Sequence, residues 1–331
     1  MAKLAHGTAP ARPPAAPHPE SPAAASVVVV IVNYRAPDLT MRCVDSVLAS
    51  AGARPRVVVV DNASGDDSAE RLERHFRDNA SVMVVARTTN DGYTGGNNAG
   101  IAIARRIGAR FAFVLNPDTE VDVDCLRTLL DEAERDPRVA LVAPRIVFGD
   151  DPAKIWFDGG HYSLFSGRPK HDGLGELIES RGLRRAPVDI TFTTGCAIVV
   201  RLDAVADPVF DASLFMYAED VDLSVRVRQA GDRIRHVPAA VVRHHTGSAA
   251  GSTAMRFYLN TRNLIRVAAR HARWYHWLTL GPMLAVDVVG RFCAVAMRDG
   301  DGAAVVAVLR GARDALTGAL DPLSATARRR R

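Results

Sequence analysis

Cysteine is scarce in this chain, with four in 331 residues. Cys43, Cys125, Cys196 and Cys293 lie far apart and have none of the close spacings that build a zinc site, so neither a structural metal centre nor a disulfide framework is indicated. A reducing cytoplasm is the simplest compartment for such a chain. Aromatic residues make up only 6% and do not interleave with the basic residues in a patch, which removes the usual footprint of a nucleic-acid binder. No uncharged apolar run reaches the roughly eighteen residues expected of a membrane-spanning helix. The longest candidate is interrupted by Asp287 and Arg291.

What remains is a globular composition. Apolar residues account for 48% and charged residues for 24%, enough to bury a large core in one main domain with an appendage. The net charge of +5 and the pI near 9.3 are mild, and an anionic substrate or an anionic membrane surface accounts for them equally well. Residues 1–25 are rich in Ala, Pro and His without apolar periodicity and are expected to form a disordered tail. The apolar run 27–32 is short and late for a signal-peptide core and leads into Asn33-Tyr34 in place of a cleavage site. It reads as a buried first strand.

From there strand, polar turn and helix repeat. The apolar runs 27–32, 57–60, 82–85 and 111–115 are strands. Asp38 is the expected cap of the first helix, and Ser64 or Asp66 of the second. Residues 90–98 read as a loop leading into a helix from Ala99 to about Ile107. This alternation predicts an α/β fold with a doubly wound, mainly parallel sheet and helices on both faces. Asn33, Asp61, Asn90 and Asp118 each follow a strand end, so they converge on one crevice. Any one such turn is explained by the turn preferences of Asn, Asp and Gly; four in register argue for a site.

Further along, a helix near 126–133 and a strand at 139–147 precede a Gly-rich, charged excursion, 148–188, containing Asp158-Gly159-Gly160. A strand is expected over 191–200, then a helix opened by Glu219, Asp220 and Asp222 and closed by Gly231, then strands 234–237 and 241–242 ending at His244-His245. Residues 26–250 therefore form the α/β domain and 251–331 a helical region. That region reads either as helices lying on a membrane or partner, with Arg270, Arg273 and the arginines 328–331 at headgroup level, or as a helical subdomain packed on the sheet.

Three constellations can carry chemistry. Magnesium takes one or two protein carboxylates plus phosphates and water, so Asp118 suffices alone where a diphosphate completes the shell; the plainer alternative is that it closes the Asn116-Pro117-Asp118 turn. Glu219, Asp220 and Asp222 complement a helix dipole without any catalytic role. The preceding Phe215-Met216-Tyr217 can, however, desolvate one of them and raise its pKa towards that of a general base. His244 or His245 is a candidate metal ligand or phosphate contact, or else structural.

The series Val32-Asn33-Tyr34, Val60-Asp61-Asn62-Ala63-Ser64, 90–98, Leu115-Asn116-Pro117-Asp118, 217–223 and Arg262-Asn263 resembles the inverting family 2 glycosyltransferases, and among them the bacterial rhamnosyltransferase-like branch. The resemblance implies a GT-A fold followed by a C-terminal helical extension, a nucleotide-diphosphate sugar as donor, and Mg2+ or Mn2+ under the diphosphate. It implies that Asn33 and Tyr34 line the nucleotide, that Asp61 reads the base or ribose, and that Asn90 with Gly95-Gly96-Asn97-Asn98 shapes the donor pocket. Asp118 matches the last acid of the family's Asp-x-Asp motif and Asn116 replaces the first. Asp220 matches the catalytic base, Glu219 would orient acceptor or base, and His244 would sit near the metal, with His245 as the fallback. Arg262 and Asn263 would meet the phosphates of a lipid-linked acceptor.

The expected donor is dTDP-L-rhamnose, with a UDP sugar as nearest alternative. The expected acceptor is a polyprenyl-linked or cell-surface glycan, reached from the cytoplasm by a protein peripheral to the inner face of the plasma membrane. A non-catalytic nucleotide-sugar or glycan-binding module is the alternative from another class, and the presence of Asp118 and Asp220 weighs against it. A nucleotidyltransferase would want a Gly-rich basic loop after the first strand, where Asn33-Tyr34-Arg35-Ala36-Pro37 supplies one arginine.

Overall fold

The computed structural model describes residues 27–181, 186–246, 252–298 and 302–318; the expected tail 1–25 and the arginines 328–331 lie outside the described residues. Strands Val27–Asn33 (β1), Arg56–Asp61 (β2), Val82–Ala86 (β3) and Phe111–Leu115 (β4) pair in parallel in the order β4-β1-β2-β3. Helices Pro37–Leu48 (α1), Ser68–Phe76 (α2) and Gly92–Arg106 (α3) are the crossovers. β1 and β4 are buried along almost their whole length, as strands covered on both faces must be.

Thr119–Val121 (β5) and Cys125–Arg135 (α4) lead into Val139–Phe148 (β6). The excursion that follows contributes Ile155–Phe157 (β7), which pairs with β6, and a small hairpin of Gly160–Tyr162 (β8) with Pro169–His171 (β9). Val188–Ile190 (β10), Ala197–Arg201 (β11), Glu219–Gln229 (α5) and Arg233–His244 (β12) complete a mixed, mainly parallel sheet in the order β10-β12-β6-β11-β4-β1-β2-β3. β11 runs antiparallel to both β4 and β6, so β6 and β12 point the same way as β1. The start of β11 therefore lies on the same edge as the ends of β1, β2, β4 and β12.

Several local expectations are corrected. Residues 92–98 are the first turns of α3, not a loop. Glycine is a poor helix former, but here Gly96 and Gly100 let the helix lie directly on β1: added Cβ atoms would stand 2.8 Å from Val32 and 2.3 Å from Val30. Tertiary packing overrides propensity. The run 191–200 is a strand only from Ala197; residues 191–196 form a turn at the sheet edge. Residues 234–237 and 241–242 belong to one strand, β12, with a register shift between Val237 and Val241. Asp38 lies inside the first turn of α1 behind Pro37, and Asp66 accepts the Ser68 N–H at 3.0 Å ahead of α2.

Thr253–His271 (α6), Trp277–Arg298 (α7) and Gly302–Thr317 (α8) form the C-terminal helical region. α6 and α8 approach so closely at Gly311 that a Cβ would be 2.6 Å from the Tyr258 carbonyl oxygen. At its far end α6 is tied to α5: His271 Nε2 and Arg270 Nη1 lie 2.8 and 3.2 Å from one oxygen of the buried Asp222. Along α7 the apolar side chains Leu278, Val286, Val289 and Met297 are exposed. Trp274–Ala294 is long and apolar enough to cross a membrane by length and composition, and Asp287 and Arg291 within it bond each other at 2.7 Å.

Candidate active site

The shared edge begins at Asn33 and Asp61, neighbours across the β1–β2 pair. Asn33 Nδ2 donates to Asp61 Oδ1 at 2.7 Å while its own Oδ1 accepts from the Thr40 hydroxyl at 2.8 Å. Ser64 closes this network by donating its hydroxyl and backbone N–H to Asp61. Both side chains are buried, so Asn33 acts on the edge through Asp61. Tyr34 is half-buried, with the Arg35 guanidinium 5.1 Å from its ring centre. Asn90 Oδ1 accepts from Asn62 Nδ2 and from the Gly92 N–H, both at 2.9 Å, which pins the start of α3 beside the end of β2.

The β4 turn supplies the cation side. Thr119 and His244 are register partners of β5 and β12, so Asp118 faces His244, with Oδ1 3.4 Å from Nε2. His245 points the other way, to Glu120 at 3.1 Å; His244 is therefore the histidine at Asp118. Burial works against a charged His244 ring, but the Cys196 sulfur and the Asp118 carboxylate outweigh it and raise its pKa. Trp156 of β7 stands edge-on to His244, ring centres 4.7 Å apart. A carboxylate beside an imidazole suits Mn2+ better than Mg2+, which takes oxygen ligands, and a cation bound by the ring would have to displace the proton that its raised pKa favours. Among the described residues no group of three or more His, Cys, Asp or Glu side chains forms a complete metal shell, so such a cation would need ligands from a diphosphate.

The acids at the start of α5 form the other side. Asp220 Oδ2 accepts the Gly195 N–H at 3.0 Å and Oδ1 accepts the Val221 N–H at 2.8 Å. Burial pushes its pKa up to about 6 against these two bonds. Glu219 is pushed well above the ordinary carboxylate range by burial and by the neighbouring Asp220. Asp222 is not part of this site. Its carboxylate is committed to Arg226, Arg270 and His271.

The turn 194–196 joins the two sides. Gly195 gives its N–H to Asp220, its carbonyl accepts the Tyr93 hydroxyl at 2.6 Å, and the Cys196 carbonyl accepts the Asn116 N–H at 2.9 Å. Neither Gly195 nor Tyr93 stood out in the sequence. A glycine interrupting an apolar run was the available signal, since it marks close backbone approach.

Six expected site residues bond mainly to other parts of the fold. Asn98 clamps the Phe210 backbone, donating to its carbonyl at 2.7 Å and accepting its N–H at 3.0 Å. Asn97 is buried in α3 and donates to the Tyr93 carbonyl at 2.9 Å. Arg262 and Asn263, expected at acceptor phosphates, are fully buried and donate to carbonyls of residues 213–217. They cannot reach a phosphate from there. Gly95 lies in the first turn of α3, its carbonyl accepting from Arg87 at 3.0 Å. Asn116 contributes mainly its backbone, whose carbonyl accepts the Thr119 hydroxyl at 2.7 Å.

A sheet edge with a cation-ready pair on one side of a turn and a desolvated carboxylate on the other defines a group-transfer enzyme on a nucleotide-binding α/β fold. Residues 26–207, more than half of the chain, match the glycosyl transferase family 2 profile, and the chain belongs to that family. It is a glycosyltransferase. It is 28% identical over 250 residues to the N-acetylglucosaminyl-diphospho-decaprenol L-rhamnosyltransferase of Mycobacterium tuberculosis, covering 69% of this chain and 80% of that one. Its fold is the GT-A fold of the solved structures of the mannosyltransferase PcManGT from Pyrobaculum calidifontis with GDP-Man and Mn2+ and of GalNAc-T7 with UDP, GalNAc and Mn2+. The first has a TM-score of 0.54 and 16% identity over 91% of this chain and 78% of that one; the second has 0.57 and 17% over 87% and 54%.

Proposed function

We propose that the protein is a metal-assisted, inverting glycosyltransferase that moves a sugar, L-rhamnose from dTDP-L-rhamnose, to a hydroxyl of a lipid-linked or cell-surface glycan. The observation that carries this reading is the pairing of Asp118 with His244 on one side of the 194–196 turn and Asp220 on the other. The likeness to the mycobacterial rhamnosyltransferase supports the donor sugar and the polyprenyl-linked acceptor. A divalent cation held by Asp118 and His244 would neutralise the leaving diphosphate. Asp61, steadied by Asn33 and Ser64, holds the nucleotide's base or ribose beside Tyr34. Asp220 takes the proton of the acceptor hydroxyl as that oxygen attacks the anomeric carbon opposite the diphosphate. Glu219, its neighbour at the start of α5, orients it. One base and one displacement invert the anomeric centre, because no covalent intermediate intervenes.

The lipid-linked acceptor places the enzyme on the cytoplasmic face of the plasma membrane as a peripheral protein, with the exposed apolar face of α7 against the bilayer. A nucleotide-sugar panel read by thermal shift, with and without Mn2+, tests donor and metal together, since a ligand bound by the native state raises its apparent stability. dTDP-L-rhamnose should raise the melting temperature only with Mn2+, and Asp118→Ala should lose that increment. Stabilisation by a UDP sugar instead would replace the donor, and an increment independent of Mn2+ and of Asp118 would remove the metal.

A further inference from the structure

The backbone that delivers Glu219 and Asp220 is strained. Phe215, Tyr217 and Ala218 have φ of 66°, 71° and 64°, values disfavoured for side chains larger than glycine's. Phe215 has ψ of −59°, and the Met216 N–H donates to the Leu214 carbonyl at 2.7 Å. This is the rare, high-energy form of the three-residue γ-turn. Such conformations persist only where neighbouring structure over-determines them.

Here the neighbours are α3 and α6. From α3, the Thr94 N–H and hydroxyl donate to the Phe215 carbonyl at 3.1 and 3.3 Å, and a Cβ on Gly92 would stand 2.3 Å from the same oxygen. From α6, Asn263 Nδ2 donates to the carbonyls of Leu214, Met216 and Tyr217 at 2.8, 2.8 and 2.9 Å. Arg262 adds Nη2 to the Leu214 carbonyl at 3.2 Å and steadies Asn263 by donating Nε to its Oδ1 at 2.9 Å. One amide thus reads three successive features of the turn. An apolar side chain there would leave buried carbonyls unpaired and free the turn to relax to negative φ.

We infer that Arg262 and Asn263 are positioning residues, holding the strained 213–217 turn from α6 so that the Asp220 carboxylate stays seated against the Gly195 N–H where it meets the acceptor. The inference rests on the assignment of Asp220 as the base. On this inference α6 is the wall against which the active-site turn is bent.

The test uses the full-length protein and the variants Asn263→Ala and Arg262→Lys. Readouts are kcat from about pH 5 to about pH 8, donor affinity by calorimetry, and hydrogen exchange of the amides of residues 214–220. Asn263→Ala should lower kcat about tenfold or more, leave donor Kd within about twofold, speed exchange in that segment, and move the acid limb of the kcat profile away from its native position. Arg262→Lys should do the same more weakly. A merely structural contribution would lower the folded fraction and leave the limb in place. A folded Asn263→Ala with native kcat and native limb overturns the inference; if that variant does not fold, Arg262→Lys decides on the same readouts. Asp220→Asn, measured alongside, separates the two assignments. Near-normal turnover there removes Asp220 as base whatever Asn263→Ala does.

Discussion

Two adjacent acids, Glu219 and Asp220, differ in acidity because their surroundings differ. Burial raises both and backbone N–H bonds pull both back, but Glu219 also bears the repulsion of the neighbouring Asp220, so Glu219 lies well above its ordinary range while Asp220 titrates near 6. For a general base this means that kcat falls as pH drops through about 6. Asp220→Asn should reduce turnover by on the order of a thousandfold with donor binding intact, the usual scale of general-base catalysis. The same group makes an opposite prediction for stability. Its folded pKa lies above the ordinary aspartate value, so between the two the native state binds a proton that the unfolded state does not, and stability falls as pH rises through 6. Asp220→Asn should therefore raise the unfolding free energy at pH near 7.5, by about 1–3 kcal/mol, and change it little at about pH 3, below both pKa values. Loss of stability at both pH values would show that the carboxylate is a structural anchor.

Among the secondary-structure elements, α5 is held at two points, and only one belongs to the chemistry. Asp222, two residues after the base, is fully buried between Arg226, Arg270 and His271 and locks α5 onto the end of α6. Burial alone would raise its pKa; His271 and Arg226 outweigh that and lower it to about 2. Its contribution is complete above the ordinary aspartate range and is lost as pH falls through about 2. Asp222→Ala should destabilise the protein by about 3 kcal/mol, the scale for breaking a buried ion pair, and chemical denaturation at neutral pH measures it. A change below about 0.5 kcal/mol would mean that water already screens the cluster.

By residue type and position alone Asp222 is indistinguishable from Asp220, since both are acids in a first helical turn; only the family resemblance singles out Asp220. The strands and the polar edge were legible because they are local patterns: β-branched runs such as 57–60, each followed by a turn-forming Asp or Asn. The bonds that join distant segments were not. Asn98 and Phe210 are 112 residues apart, and Asn263 and Leu214 are 49 apart, and a side chain bonding a remote backbone leaves no spacing to read. The glycines of α3 misled for a related reason, because the β1 surface that requires them is built by another part of the chain.

For the molecule as a whole, the active-site edge and the outer face of α7 are separate surfaces with separate requirements. α6 is anchored to the catalytic domain through Asp222 and the 213–217 turn. α7 keeps Leu278, Val286, Val289 and Met297 at 59% exposure or more, and Trp274, in the turn before it, is as exposed. Its charged residues Asp287 and Arg291 bond each other and also reach Arg168 and Asn260, so the pair neither adds a free charge to that face nor bars an interfacial position. An apolar stripe of this extent costs solubility unless something covers it. Under the proposed lipid-linked acceptor, a bilayer in the interfacial plane would be the natural cover. The prediction is a double substitution, Leu278→Asp with Val289→Asp, which should cut co-sedimentation with anionic phospholipid vesicles by about tenfold or more, because each buried charge opposes insertion by about 1–3 kcal/mol. Both side chains are exposed, so the melting temperature and turnover on a short water-soluble acceptor should stay near native, while turnover on a polyprenyl-linked acceptor in vesicles should fall with binding. Unchanged sedimentation would leave the stripe to a protein partner and detach the acceptor's lipid from α7.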